Sequence, residues 1–194
     1  MIRLALLRHG HTEWNRAGRI QGRSDIMLDH EARMDLSGLR LPAPWDAAML
    51  WSSPLERALD TAELVSGGKR PKAAPELIEM NWGDFEGQRG EDLIATPGSG
   101  YKHIEDWGWD FRPPGGESPR ELAERLTPWL FGLTGDNVAV CHIGVMRVIL
   151  ALAHDWDFDG PAPFRIKRNR MYLVEIRGDR LIPDPDPVRL VPAP

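Results

Sequence analysis

Cysteine is almost absent from this chain of 194 residues, because Cys141 is the only one. A single cysteine cannot form an internal disulfide bond, which excludes a disulfide-stapled fold. The residues before it, Val138, Ala139 and Val140, are apolar and predict a buried, unreactive thiol. These features favour a reducing compartment, and we expect a cytoplasmic protein.

Long hydrophobic runs and an excess of positive charge are also lacking. The apolar stretch Met1–Leu7 is interrupted by Arg3 and is too short for a signal-peptide core or a membrane span. The net charge of −5 argues against a broad surface for nucleic acid or membrane. It leaves room for a small cationic pocket that captures an anion, so we expect a small-molecule partner.

What is present is an ordinary globular composition, with 42% hydrophobic and 27% charged residues. The length fits one domain, and the sequence contains neither an internal repeat nor a linker. We therefore expect residues 1–194 to form a single domain. Within it, residues 80–118 form a lid-like excursion and residues 183–194 a proline-rich tail.

Strands that alternate with helices indicate the fold class. Continuous apolar stretches predict buried strands, and helix-starting signals follow two of them. The strands are expected at Ile2 to Leu7, Asp46 to Trp51 and Asn137 to Cys141, and the helices after Ser53, Ser118 and His142. This alternation predicts an α/β domain with a largely parallel sheet.

Two of the helices begin with a similar capping signal. Ser53 is expected to cap the first, with Pro54 at its first position and Glu56 completing a capping box. A second box of this kind opens the helix expected at 118–131. The spacing of apolar residues in the first helix predicts that Arg57 lies off its core face, one turn inside the helix.

The remaining segments are less regular. A hairpin is predicted around Gly178-Asp179, between the strands Met171 to Ile176 and Arg180 to Ile182. The tail PDPDPVRLVPAP is too rich in proline to extend a sheet, and we expect an extended strap or a frayed end. Residues 80–118 hold Gly, Pro and Trp without a period, which is typical of a functional lid or a partly disordered segment.

Two histidines follow predicted strands and point to chemistry at the sheet edge. His9 and His142 each lie at a strand end with a glycine close behind, where free backbone N–H groups of helix N-termini attract anions. Arg8 and Arg57 would add planar forks of donors that match a phosphate. Together these groups predict a pocket for a tetrahedral dianion. The other histidines, His11, His30, His103 and His154, are expected to be satisfied polar residues.

Six motifs between residues 3 and 150 turn this expectation into a family resemblance. They are LLRHGHTEWN, GRIQGRSDIMLD, SSPLERALDTAE, LIEMNWGDFEG, GGESPRELAERL and VAVCHIGVMR. In this order they resemble the histidine phosphatase superfamily, in the branch that includes phosphoglycerate mutase. The resemblance implies a three-layer α/β/α sandwich with a mixed, mainly parallel central sheet.

The resemblance also implies roles for individual residues. His9 would be the nucleophile that becomes phosphorylated, Arg8 and Arg57 would bind the phosphoryl oxygens, and His142 would complete the pocket. Asn15 would hydrogen-bond the phosphate or orient its neighbours. Because these cations can stabilise the charge of the transferring phosphoryl group, we expect neither a metal nor a cofactor.

Glu79 would be the proton donor to the leaving group by the same resemblance. Its apolar neighbours Met80 and Trp82 would favour the neutral acid, so its pKa should be raised. Substrate contacts are expected from Gln21 and Gly22 in the second motif and from Trp82.

Departures from the mutase pattern favour hydrolysis. Phosphoglycerate mutases carry Glu-Arg-His-Tyr-Gly at the acid motif and an adjacent arginine pair further on. This chain has Glu79-Met80-Asn81-Trp82-Gly83 and no such pair in residues 80–118, and it is shorter than typical mutases. His11 also stands where the family usually has glutamate, a departure expected to lie outside the chemistry. We expect a phosphomonoester hydrolase, similar to α-ribazole phosphatases and broad-specificity phosphatases.

Other functions remain open at this point. Mutase-type phosphoryl transfer is the first alternative, and a non-catalytic module that binds a phosphorylated ligand is the second. The sequence does not separate small-molecule from phosphoprotein substrates, and it does not give the oligomeric state. The aromatic residues Trp82, Trp107, Trp109 and Phe111 either anchor the excursion to the core or form an apolar wall for a large leaving group.

Overall fold

The computed structural model describes all 194 residues. Its strands are β1 (Ile2–Arg8), β2 (Leu39–Arg40), β3 (Met49–Ser52), β4 (Lys72–Ala73), β5 (Asp136–Cys141), β6 (Arg170–Arg177), β7 (Arg180–Pro183), β8 (Val188–Arg189) and β9 (Val191–Pro192). Its helices are α1 (Glu13–Arg16), α2 (His30–Ser37), α3 (Glu56–Val65), α4 (Gly90–Ala95), α5 (Pro119–Phe131) and α6 (Ile143–His154). Short 3₁₀ turns lie at Trp45–Ala47, Pro75–Leu77 and Gly83–Phe85. No helix combines the length and the apolar character needed to cross a membrane.

The central sheet has the strand order β4-β3-β5-β1-β6-β7, and β8 also pairs with β6. Strands β4, β3, β5 and β1 run parallel, whereas β6 is antiparallel to β1, β7 and β8. The sheet is therefore mixed, and the carboxyl ends of β1 and β5 lie side by side at one edge.

Both faces of the sheet are covered, which explains the continuous apolar sequence of β1. Leu4 and Leu6 belong to the core that contains the buried residues of α5 and α6. Ala5 and Leu7 belong to the opposite core, which contains buried residues of α2 and α3. Strands buried on both faces read as unbroken apolar runs, and the predicted three-layer sandwich is confirmed.

The two predicted capping boxes have different outcomes. Helix α5 begins as expected, with Ser118 as the N-cap and Glu121 completing the box. The prediction of a capping box at Ser53 was wrong. Helix α3 begins only at Glu56, and the carboxylate of Asp25 accepts the Glu56 N–H at 3.0 Å. A distant residue thus caps this helix.

Arg57 also departs from the prediction, because its side chain is fully buried rather than off the core face. Its guanidinium donates to the backbone carbonyls of Ser24 at 2.7 Å and Gly22 at 2.6 Å. The loop that carries these carbonyls covers the start of α3. Apolar periodicity cannot reveal a burial that depends on backbone acceptors elsewhere in the chain.

One prediction about the C-terminal region is confirmed and one is wrong, and the start of β3, earlier in the chain, also needs correction. The hairpin β6–β7 forms around Gly178, which has a φ of 62°. The tail was wrongly expected to stay out of the sheets, since β8 pairs with β6 and β9 pairs with β2. Two residues without proline, Val188 and Arg189, suffice for the short edge pairing of β8. Strand β3 begins at Met49, three residues late, because the 3₁₀ turn occupies the expected start.

Residues 80–118 are more ordered than their composition suggests. They contain the 3₁₀ turn Gly83–Phe85 and helix α4. Trp107 is buried and stacks on Phe111, at 5.2 Å between ring centroids, and on Phe158, at 5.8 Å. The aromatic residues therefore anchor this excursion to the core, and its movement as a lid stays a prediction.

Candidate active site

The two histidines predicted at strand ends are neighbours. Strand β1 pairs with β5 through Arg8 and Cys141, so His9 and His142 leave the sheet side by side. The His9 N–H continues the ladder by donating to the Cys141 carbonyl at 3.0 Å. The two imidazole centroids are 5.1 Å apart. Backbone pairing alone thus brings together groups that are 133 residues apart.

The His9 ring is held in one orientation and one tautomer. Its Nδ1 lies 2.6 Å from the Gly10 carbonyl, which can only accept, so Nδ1 carries the proton. The Gly10 N–H in turn donates to the Thr61 hydroxyl at 3.0 Å. Burial lowers the pKa of His9 well below its ordinary value, and the neighbouring His142, Arg57 and Arg8 lower it further. The imidazole is neutral, and its Nε2 carries a free lone pair.

His142 is oriented by Ser53, whose hydroxyl lies 2.7 Å from Nε2. The same hydroxyl oxygen accepts the Leu55 N–H at 3.3 Å. Because that hydroxyl accepts from the backbone, its own proton is free to be donated to Nε2, which leaves the proton of His142 on Nδ1. That Nδ1 is buried and has no partner in the protein. Burial, followed by the charges of Arg57 and Arg8, lowers the pKa of His142.

The predicted arginines supply further donors without acceptors. The Nε atoms of Arg8 and Arg57 are both buried and unpartnered. Burial lowers the pKa of Arg8 to about 9 and also lowers that of Arg57. The carbonyls of Gly22 and Ser24 fix the Arg57 guanidinium, so Gly22 acts on this arginine and does not line the cavity beside His9.

Glu79 lies at the N-terminus of α6 and is 1% exposed. Its carboxylate accepts the backbone N–H of Met80 at 2.8 Å, of Gly144 at 3.1 Å and of Val145 at 3.2 Å. Burial nevertheless raises its pKa, and these hydrogen bonds and the charges of Arg57 and Arg8 offset only part of that effect. A Cβ atom at position 144 would overlap Glu79 Oε1, so only glycine allows this approach.

The segment that carries Glu79 is held by side chains. Arg125 donates to the backbone carbonyls of Ile78 at 2.6 Å and Glu79 at 3.3 Å, and it pairs with Glu117 at 2.7 Å. The nearby carboxylate of Glu86 is occupied by loop donors, with the Arg23 N–H at 2.8 Å and the Ser24 N–H at 2.9 Å. Burial of Glu86 would raise its pKa, but these hydrogen bonds outweigh that effect and lower it. Glu86 is therefore suited to holding the loop.

A cavity of about 320 Å³ lies beside His9, and neither Arg57 nor His142 is among the side chains that line it. Of the predicted residues, the cavity is lined by Arg8, His9, Asn15, Gln21, Glu79 and Trp82. Tyr101 and Trp107 add aromatic surface, whereas Trp109 and Phe111 do not line it. The structure contains no cluster of three or more His, Cys, Asp or Glu residues that could hold a metal ion.

Several residues near the cavity were missed by reasoning from the sequence. His103 was expected to be an ordinary polar residue, yet it lines the cavity together with Arg19 and Arg147. The Arg147 guanidinium lies 5.9 Å from the Trp107 ring centroid. The position of Arg147, one turn into the helix after His142, was the only available signal.

Arg168 was missed as well. Its Nη2 donates to Asn15 Oδ1 at 2.8 Å across 153 residues of sequence. Burial lowers the pKa of Arg168 to about 10, and its charge is among those that lower the pKa of His9. No local pattern in the sequence connects this segment to the cavity.

Comparison with known proteins identifies the family. A model described as the histidine phosphatase superfamily (branch 1) matches residues 4–183. The chain belongs to the histidine phosphatase superfamily. The resemblance inferred from the sequence motifs is confirmed, and so is the expectation of an enzyme. Relatives in this superfamily include both phosphatases and phosphoglycerate mutases.

Two curated relatives illustrate this range. The chain is 31% identical over 156 residues to the glucosyl-3-phosphoglycerate phosphatase of Mycolicibacterium vanbaalenii, covering 78% of this chain and 68% of that protein. It is 33% identical over 136 residues to a 2,3-bisphosphoglycerate-dependent phosphoglycerate mutase of Azorhizobium caulinodans, covering 65% of each. The chain thus spans about two thirds of the length of these relatives.

Solved structures match over nearly the whole chain. The TTHB049 protein of Thermus thermophilus superposes with a TM-score of 0.74 at 32% identity, covering 97% of this chain and 94% of that one. A mycobacterial glucosyl-3-phosphoglycerate phosphatase in complex with VO₃ superposes with a TM-score of 0.76 at 27% identity, covering 94% and 96%. These matches agree with the mixed α/β sandwich described above.

Proposed function

We propose that this enzyme hydrolyses phosphomonoesters through a phosphohistidine formed on His9. One observation carries the proposal: buried nitrogen donors without acceptors occur around the neutral imidazole of His9. They lie on Arg8 and Gln21, which line the cavity with His9, and on Arg57 and His142, which lower the pKa of His9. An unsatisfied buried donor costs on the order of 1–3 kcal/mol. Several of them in one place therefore favour a site that an anion fills, and a phosphoryl group has enough acceptor oxygens to satisfy them.

In the first step the Nε2 lone pair of His9 attacks phosphorus, and the bond from phosphorus to the ester oxygen breaks. The proton stays on Nδ1, which donates it to the Gly10 carbonyl, and this hydrogen bond stabilises the phosphorylated ring. Arg8 and Arg57 stabilise the charge on the phosphoryl oxygens as it passes from the substrate to His9.

Glu79 supplies the proton that the leaving alkoxide requires. Its raised pKa favours the protonated acid, and a bound phosphoryl dianion would raise that pKa further. In the second step a water attacks phosphorus, its proton passes to Glu79 and the bond between phosphorus and nitrogen breaks. Inorganic phosphate leaves, and both His9 and Glu79 return to their starting states.

Hydrolysis is favoured over mutase-type transfer by the residues that the excursion at 80–118 contributes to the cavity. A mutase must hold a second anionic substrate, for which adjacent arginines serve in phosphoglycerate mutases. The excursion of this chain contributes Trp82, Tyr101 and Trp107 to the cavity and no arginine pair. These aromatic faces suit a small phosphomonoester with a bulky or aromatic leaving group. The cytoplasmic location expected from the sequence stays a prediction.

Chemical trapping tests the proposal. The protein is mixed with a ³²P-labelled phosphomonoester and quenched in alkali, where phosphohistidine survives. We expect label on the wild-type protein and none on His9→Ala. Unlabelled wild type in the presence of turnover, or label that persists in His9→Ala, would contradict the mechanism. A parallel assay with 3-phosphoglycerate separates the alternatives, because fast mutase turnover with negligible hydrolysis would favour transfer.

The role of Glu79 needs a separate measurement. Glu79→Gln should reduce kcat/KM strongly for alkyl phosphates and little for a nitrophenyl phosphate, whose leaving group needs no proton. The ratio kcat/KM reports the steps up to release of the alcohol and excludes the later attack of water, in which Glu79 acts as the base. An equal loss of kcat/KM for both substrates would argue against the acid role of Glu79.

A further inference from the structure

Arg168 lies in the segment between α6 and β6, and no step of the proposed reaction uses it. Its side chain is not among those that line the cavity. Its guanidinium instead donates to Asn15 Oδ1 at 2.8 Å. Asn15 does line the cavity, so any effect of Arg168 through this bond reaches the substrate by way of Asn15.

The amide of Asn15 belongs to a short chain of hydrogen bonds. Its Oδ1 also accepts the Thr12 N–H at 3.2 Å, and its Nδ2 donates to Gln21 Oε1 at 3.1 Å. Gln21 Oε1 accepts a second bond, from the Thr12 hydroxyl at 2.8 Å. Both acceptor oxygens are therefore occupied by protein donors. The Gln21 Nε2 is buried without a partner, and Gln21 lines the cavity, so this N–H group is left as a free donor.

The direction of these two amides decides whether the site attracts or repels an anion. The O and N ends of an amide have nearly the same shape, so rotation by 180° costs little by itself. A rotated Asn15 would turn its NH₂ toward Arg168 and its carbonyl oxygen toward Gln21. Gln21 would then have to rotate as well and would present an oxygen to the phosphoryl group.

Arg168 excludes the rotated state because a guanidinium only donates hydrogen bonds and never accepts them. A donor facing the Asn15 NH₂ would leave two donors opposed in a partly buried site. The Thr12 N–H also donates to Asn15 Oδ1 and so also opposes the rotated state, but its bond is longer, at 3.2 Å.

The C-terminal tail anchors the segment that carries Arg168. The next residue, Asn169, has a φ of 58°, and its carbonyl accepts the Leu190 N–H at 3.1 Å. Directly afterwards Arg170 pairs with Arg189, where β6 meets β8. The tail thus fixes the backbone of the two residues that follow Arg168.

We propose that Arg168 is a positioning residue, which fixes the amides of Asn15 and Gln21 so that both direct N–H groups at the phosphoryl group of the substrate. The identity of the anion rests on the proposed function. The amide orientation itself does not, because any tetrahedral dianion needs the same donors.

A double-mutant cycle on inorganic phosphate binding tests this assignment. Phosphate affinity is measured by calorimetry for wild type, Arg168→Met, Asn15→Ala and the double variant. We expect Arg168→Met to weaken binding about five- to tenfold in the wild-type background and less than twofold in the Asn15→Ala background. Arg165→Met changes an exposed arginine in the same segment and should bind phosphate as wild type does.

Two results would overturn the assignment. If Arg168→Met binds phosphate normally, the orientation of the two amides does not depend on Arg168. If its loss is equally large without the Asn15 amide, Arg168 attracts the anion directly by its charge. Arg168→Lys keeps a donor on a shorter side chain, so it should lose less affinity than Arg168→Met, and its own cycle with Asn15→Ala decides the matter if the methionine variant does not fold.

Failure of the proposed function would look different from failure of this inference. Phosphate binding needs no turnover, so the cycle can be read even in a protein that forms no phosphohistidine. Conversely, a wild type that forms phosphohistidine, together with an Arg168→Met variant of unchanged kcat/KM, would leave the reaction intact and remove only the role of Arg168.

Discussion

The two walls of the cavity are built in different ways. On the strand-end wall, Arg8 and His9 lie at the end of β1, and the backbone ladder between β1 and β5 fixes their positions beside His142. On the opposite wall, Glu79, Trp82 and Trp107 lie on irregular chain that is held by side chains, such as Arg125 under Glu79.

The two kinds of wall differ in how easily a substitution can move their side chains. A wall set by sheet pairing keeps the backbone of Arg8, His9 and His142 in place without depending on any single side chain. A wall set by individual hydrogen bonds and ring packing can change with one substitution. We therefore expect phosphate chemistry to reside on the first wall and the choice of leaving group on the second.

Removal of Arg8 should give the largest effect, because it deletes a phosphate donor on the fixed wall. We expect Arg8→Ala to lower kcat by about 10²- to 10³-fold, as for loss of one preorganised donor to a transition state. The loss should be similar for alkyl and nitrophenyl phosphates, since every substrate presents the same phosphoryl group. A loss of kcat that depends strongly on the leaving group would show that the two walls do not have separate roles.

Gly144→Ala tests the contact between the start of α6 and the carboxylate of Glu79. A Cβ at this position would overlap the carboxylate, which must then move. We expect kcat/KM for alkyl phosphates to fall about 10- to 100-fold, as for a catalytic group misplaced by an ångström, with little change for nitrophenyl phosphate.

Gly38→Ala is the matched control for this substitution. Gly38 has a φ of −83°, and an added Cβ would lie 3.5 Å from its nearest neighbour, so the change should be kinetically silent. If Gly144→Ala slowed both substrates alike, the contact with Glu79 would not be the cause.

The same division explains how far the sequence could predict the site. Arg8, His9 and His142 were predicted correctly at strand ends, because apolar runs reveal buried strands and parallel strands share one edge. Arg57 was expected off the core face, yet it is buried under the loop containing Gly22 and Ser24. The position of such a side chain depends on acceptors far away in the sequence, which no local period encodes.

Ser53 and Arg168 show the same limit. Ser53 has the sequence context of a helix cap, but its hydroxyl lies against His142, and Asp25 caps the helix instead. Arg168 lies in an irregular segment, and its bond to Asn15 spans 153 residues. Local patterns give the elements and their order, whereas these contacts arise only when the chain is folded.

Ser53→Ala should give a smaller effect on the fixed wall. The imidazole of His142 loses its partner at Nε2 and can take either tautomer. We expect kcat/KM to fall about tenfold, because about 1–1.5 kcal/mol of hydrogen bonding no longer orients the donor at Nδ1. Ser52→Ala is the control, since this adjacent buried hydroxyl donates to the Ser53 carbonyl at 2.8 Å. Equal losses for the two alanine variants would show that the effect is structural.

The pH dependence of stability gives the smallest effect. His9 and Glu79, one on each wall, should change the free energy of unfolding with pH in opposite directions. The pKa of His9 is lowered from 6.5 in the folded state, so below pH 6.5 the unfolded chain binds more protons and the free energy of unfolding falls as pH falls. The pKa of Glu79 is raised from 4.5, so above pH 4.5 the folded state binds the extra proton and the free energy of unfolding falls as pH rises. Between pH 4.5 and 6.5 the two contributions oppose each other.

Single variants separate these opposing contributions. Urea unfolding of wild type, His9→Asn and Glu79→Gln is measured at several pH values between 4.5 and 6.5. His9→Asn should make the slope of the free energy of unfolding against pH less positive, and Glu79→Gln should make it more positive. Each change is at most about 1.4 kcal/mol per pH unit, which corresponds to one proton. If both variants shifted the slope in the same direction, the two walls would not hold their ionisable groups in opposite protonation states.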